Sequence, residues 1–112
     1  MNVAQFLDDV AYDLGRAGIA ASQLDTLEFA ESGRDINVKV CKAPREPYPT
    51  LEDILDQIGR RCLREGITTE QLRCITFFQE RADIEFIANS GEARSRSCAV
   101  KQSTLEQLTL NV

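Results

Sequence analysis

Four cysteines, Cys41, Cys62, Cys74 and Cys98, are the most chemically versatile side chains in this sequence, since a thiolate can ligate zinc, close a disulfide or attack a substrate. Their spacing argues against each role. No two form a Cys-x-x-Cys pair, the gaps match no compact zinc knuckle, and the sequence has no histidine to complete a mixed site or activate a thiol. Reduced thiols packed as small apolar side chains are the simpler expectation. The carboxylates read the same way. Glu52, Asp53 and Asp56 cluster where a helix is expected to start, and negative charge there complements the helix dipole without any catalytic meaning. Asp35 and Asp83 open strands after turns. With no Ser-His or Cys-His pair and no glycine-rich loop after a strand, the sequence predicts a protein that is not an enzyme and uses no cofactor and no metal.

What must position these residues is one domain spanning 1–112, long enough to bury roughly two thirds of its unfolded surface. Hydrophobic content of 43% and charged content of 28% place it among ordered globular proteins. Eighteen acidic against thirteen basic residues give a net charge of −5, which argues against a general phosphate-backbone binder. The first residues, "MNVAQFLDDV", carry two acids and no basic region, so they do not read as a secretory signal. No apolar run approaches the ~20 residues that span a bilayer. A cytoplasmic protein without membrane contact is expected.

The strongest pattern is internal. "GIAASQLDTLEF" begins at Gly18 and "GITTEQLRCITF" at Gly66, and sliding residues 5–40 onto 53–88 without a gap gives ten identities in 36. Val3, Phe6, Leu7, Val10 and Leu14 have the spacing of an amphipathic helix, and Leu51, Ile54, Leu55, Ile58 and Cys62 occupy the same slots 48 positions later. Asn2 with Gln5, and Thr50 with Asp53, resemble capping boxes, while Gly18 and Gly66 stand where a left-handed residue ends a helix. Helices over 2–17 and 50–65 follow. After each Gly-Ile comes one helical turn and then a hairpin, alternating through Leu27, Phe29, Ile36, Val38 and Val40 in one unit and Ile75, Phe77, Ile84 and Phe86 in the other.

The predicted fold is therefore α+β: a tandem duplication of a helix-strand-strand unit, giving an antiparallel sheet with two helices on one face. The repeat units are 1–43 and 50–88, joined by a connector, 44–49, whose Pro44, Pro47 and Pro49 favour an extended, fairly stiff chain. Residues 89–112 form a C-terminal extension with no counterpart. Within it, Leu105, Leu108 and Leu110 repeat the spacing of the strand entry, and Leu108, Leu110 and Val112 alternate as an extra strand would, although Ser103 and Glu106 also allow a short helix.

Function is expected where the units differ. On the sheet face away from the helices the first unit offers Thr26, Ala30 and Lys39, and the gapless alignment sets Cys74, Phe78 and Ile87 against them, with Thr76 beside them. That predicts an apolar patch made of Cys74, Thr76, Phe78 and Ile87, covered by Leu108 and Leu110, by a second copy in a homodimer, or by another protein. A weaker basic patch is expected from Arg60, Arg64, Arg94 and Arg96, with Arg94 and Arg96 on one strand face, although Asp56/Arg60 and Arg61/Glu65 are i,i+4 partners. The functional expectation is a non-enzymatic protein-protein interaction module: a small acidic adaptor, chaperone-like, inhibitor or immunity-type protein acting through the apolar sheet face. The alternative is a ligand-binding or regulatory subunit of a nucleic-acid-associated machine, which titration with nucleic acid at two salt concentrations distinguishes.

Overall fold

A computed structural model describes residues 2–30 and 35–101. The chain runs α1 (Val3–Arg16), a single 3-10 turn (Ala21–Gln23), β1 (Leu24–Phe29), β2 (Ile36–Val40), α2 (Leu51–Glu65), β3 (Leu72–Phe77), β4 (Arg81–Ile87) and β5 (Ala93–Ala99). All strand pairs are antiparallel, and the sheet order is β2-β1-β3-β4-β5. The described residues form an α+β fold with two helices and a five-stranded sheet.

Local signals set the helix ends. Asn2 caps α1 in a complete capping box: the Gln5 amide N–H donates to Asn2 Oδ1, and the Asn2 N–H donates to Gln5 Oε1. Thr50 Oγ1 accepts from the Asp53 N–H at the start of α2. Gly18 (φ 80°) and Gly66 (φ 71°) take the left-handed conformation that reverses the chain after each helix, which a side chain would oppose. The apolar stripes then face one core, where Leu7, Ile54, Leu55 and Ile58 are fully buried against Leu24, Leu27, Leu72, Ile75, Phe77 and Ile84 of the sheet. The helices cross closely at Ala4 and Gly59, where a Cβ on Gly59 would sit 2.9 Å from Ala4 Cα.

The two hairpins are alike in one respect and different in another. A register shift falls between Leu24 and Thr26 in β1, and again between Leu72 and Cys74 in β3. The central pair of the β1–β3 ladder is Leu27↔Ile75. The turns differ in length, however. Ala30 N–H bonds Asp35 O in the first hairpin, whereas Phe78 N–H bonds Arg81 O in the second, two residues tighter. Val38 lies opposite Leu27, and Ile84 opposite Ile75, so the counterpart of Ile84 is Val38 and not the Ile36 that the gapless alignment selects.

The connector docks on the sheet as a strap, because its polar groups reach groups the strands leave open. The Arg45 guanidinium donates to the carbonyls of Leu24 and Phe77, where β1 and β3 diverge, and lies over the Tyr48 ring at 5.3 Å. Tyr48 Oη donates to Phe78 O (3.0 Å), and Gln79 Nε2 to Pro47 O (3.1 Å). The C-terminal extension contributes β5, the sheet edge beyond β4; Leu105, Leu108 and Leu110 lie outside the described residues.

Candidate interaction site

The expected patch is dispersed by the shorter turn. Cys74 and Thr76 are neighbours near the middle of β3 on the solvent face, with sulfur and hydroxyl 3.8 Å apart. Phe78 lies beyond the end of β3 at the hairpin turn, 38% exposed, with the Arg81 guanidinium over its ring at 4.3 Å. Ile87 ends β4 at the far end of the same hairpin, opposite Ala93. Between them the two-residue shift puts Glu85, not Ile87, opposite Cys74, while Glu28 flanks Cys74 from β1. The face is polar: Lys39 pairs with Glu28 at 2.7 Å, and Ser97 donates to Asp83 at 2.8 Å. A half-buried thiol among carboxylates needs no apolar cover. Burial raises its pKa, and the contact with Thr76 partly opposes that.

The expected basic residues fall in two places: Arg60 and Arg64 line one cleft, and Arg94 and Arg96 line another beside Glu65 and Phe86. Antiparallel pairing sets Arg96 opposite Ile84 and Arg94 opposite Phe86, so both arginines stand on the helix side of β5. Arg96 covers the Phe86 ring at 5.7 Å and pairs with Glu65 at 3.3 Å. Above β5, the flank of α2 forms a cleft of about 310 Å³ lined by Gln57, Arg60, Arg61, Arg64, Cys98, Ala99 and Lys101. Arg60 pairs with Asp56, Arg61 with Glu65 and Arg94 with Glu92, whereas Arg64 and Lys101 carry no ion pair among the described residues. Burial raises the pKa of Cys98, with Arg61 and Arg64 partly opposing it; burial also pushes the Cys62 thiol up to about 12. These two thiols are protonated packing groups at neutral pH.

A feature that the sequence reading missed is the bonding side of β5. In an antiparallel ladder a residue points its N–H and C=O to the same neighbour, and successive residues alternate. Ala88 N–H donates to Glu92 O, and Val100 N–H donates to Glu80 O, which fixes the phase at both ends of the β4–β5 ladder. Arg94, Arg96 and Cys98 therefore face β4, while Ala93, Ser95, Ser97 and Ala99 direct their main-chain groups away from the sheet. Among the described residues no strand meets that row. At its end the Gln57 side-chain amide does: Nε2 donates to Lys101 O (3.0 Å), and Oε1 accepts the Lys101 N–H (3.1 Å).

Edges of this kind are normally blunted by proline, charged side chains, inward-pointing charges or a bulge. Within Ala93–Ala99 there is no proline, and the register with β4 runs unbroken from Ala99 to Ala93, so Arg94 and Arg96 on the helix side are the charged residues the edge carries. Among the described residues no group of three or more Cys, Asp or Glu side chains could hold a metal ion, and no helix is long and apolar enough to cross a membrane. The chain matches no known protein family, no curated protein and no solved structure.

Proposed function

We propose that this chain is a non-enzymatic protein-binding module that uses the open edge of β5 beside the α2 flank, in place of the apolar sheet face expected from sequence. One observation carries the reading: four outward-facing residues, Ala93, Ser95, Ser97 and Ala99, offer main-chain donors and acceptors that no strand among the described residues fills, with small side chains, so another strand can approach. Adaptor, chaperone-like, inhibitor and immunity-type roles all fit such an edge. Duplication of a helix-strand-strand unit belongs to the same reading; the equivalent register shifts in β1 and β3 and the matching glycine stops support it. Four free thiols suit a reducing compartment, which supports a cytoplasmic setting.

The second reading, a regulatory subunit on a nucleic-acid machine, has the cleft that gathers Arg60, Arg61, Arg64 and Lys101 in its favour. Against it, phosphates supply acceptors only, and half of the open row consists of carbonyls that need donors.

Selection from an unbiased displayed-peptide library on the native protein and on Ser95→Pro tests the proposal. Ser95 directs its N–H outward, so proline there removes a free donor without breaking the β4–β5 ladder. Recovered peptides should bind the native protein and not the variant. A library that yields no binder sensitive to Ser95→Pro contradicts the reading.

A further inference from the structure

We infer that the occupant of the β5 edge is an extended segment of a different protein, with acidic residues at every second position. The inference rests on the protein-binding reading above and adds the chemistry of the partner.

A strand added to β5 would bond Ala93, Ser95, Ser97 and Ala99, leaving Arg94, Arg96 and Cys98 as the close, non-bonded pairs of the new ladder. The residues opposite Arg94 and Arg96 would meet guanidinium groups on the helix side, and the residue opposite Cys98 would enter the cleft of Arg60, Arg61, Arg64 and Lys101. Carboxylates suit all three places: at the cleft one would meet Arg64 and Lys101, which carry no ion pair among the described residues, and opposite Arg94 and Arg96 it would share guanidinium groups that already pair with Glu92 and Glu65. The intervening residues would stand on the other face, beside Ser95 and Ser97 with Asp83 and Glu85 one strand further in. A uniformly acidic segment would be repelled there, which selects alternation. Gln57 already shows the required bonding, since its amide donates to and accepts from Lys101 as the next peptide group of an added strand would.

The same charges argue against a twin subunit at this edge. Antiparallel self-pairing of Ala93–Ala99 would set Arg96 directly opposite Arg96 of the second copy, with Arg94 opposite Cys98, and like charges directly opposite destabilise a ladder.

The test uses blocked nine-residue peptides that alternate Glu with Thr, Gln with Thr, or Lys with Thr, titrated calorimetrically into the full chain at low and high salt. The Glu peptide should bind at least tenfold more tightly than the Gln peptide, lose affinity as salt rises, and fail on Ser95→Pro. The double variant Arg94→Glu/Arg96→Glu, whose strand keeps its pairing with β4, should reverse the preference toward the Lys peptide. Equal binding of all three peptides, still abolished by Ser95→Pro, would overturn the acidic partner while leaving the protein-binding edge standing. Glu-peptide binding indifferent to Ser95→Pro, or no peptide binding at all, would overturn both. Displacement of the Glu peptide by a short single-stranded oligonucleotide that binds Ser95→Pro equally well would assign the basic cleft to phosphate. An edge that accepts peptide only after removal of residues 102–112 would assign it to the chain's own tail.

Discussion

Replacing Gly59 with alanine should destabilise the protein, although the same change in an unconstrained helix stabilises it. Alanine gains about 1 kcal/mol over glycine in a helix interior. At Gly59 the added Cβ would lie 2.9 Å from Ala4 Cα and 3.2 Å from Ala4 Cβ, and the nearer atom is backbone, so α1 and α2 must move apart. Overpacking of that kind costs about 1 to 3 kcal/mol. Here it widens the helix layer over Leu7, Leu55 and Ile58, so the upper part of the range applies and the net loss should be about 1 to 2 kcal/mol. Gly15 supplies the control: it lies in α1 with a negative φ and nothing within 4 Å of the Cβ it would gain. Gly15→Ala should therefore stabilise by about 0.5 to 1 kcal/mol. Ala4→Gly should not rescue Gly59→Ala, because the closest obstacle is the backbone. Urea unfolding of the four proteins measures all of this, and a Gly59→Ala variant as stable as Gly15→Ala would refute the close crossing.

Removing the Arg45 donors with Arg45→Met should cost about 2 to 3 kcal/mol in urea unfolding, because two strand-end carbonyls lose charged partners, and an unchanged midpoint would contradict the docked strap. In native protein an alkylating reagent should modify the half-buried Cys41 and Cys74 well before the buried Cys62 and Cys98, whereas comparable rates at all four would contradict the burial described. The Cys62 thiol, held up to about 12, lies above the ordinary value near ~8.5 in the unfolded chain, so its contribution is complete below that lower value. As pH rises from about 9 toward 12 the unfolded thiol ionises first and stability should fall, with Cys62→Val making the decline shallower; an unaltered slope would contradict the assignment.

The helices were legible because their signals are local. Asn2 with Gln5, Gly18 and Gly66 fix ends within a few residues, and the apolar stripe of each helix predicts its buried face. The hairpins were half legible. Alternation places Leu27, Phe29, Ile75 and Phe77 inward, but the length of a turn is invisible to a gapless comparison, and two residues moved Ile87 away from Cys74. The strap was not legible, because prolines report local stiffness whereas Arg45 acts on Leu24 and Phe77, both distant in sequence. Arg94 and Arg96 could be placed on one strand face from spacing alone. Which of their neighbours bond outward depends on hydrogen-bond phase, which Ala88 and Val100 set and no side chain announces.

Amide hydrogen exchange resolved along β5 reads that phase. In the free protein the Arg94, Arg96 and Cys98 amides should exchange slowly, since they bond β4, while the Ala93, Ser95, Ser97 and Ala99 amides exchange fast. Saturation with the alternating Glu-Thr peptide should slow the fast set and leave the slow set nearly unchanged. Uniform protection along β5 in the free protein, or a fast set that stays fast in the peptide complex, would contradict an open edge that takes an added strand.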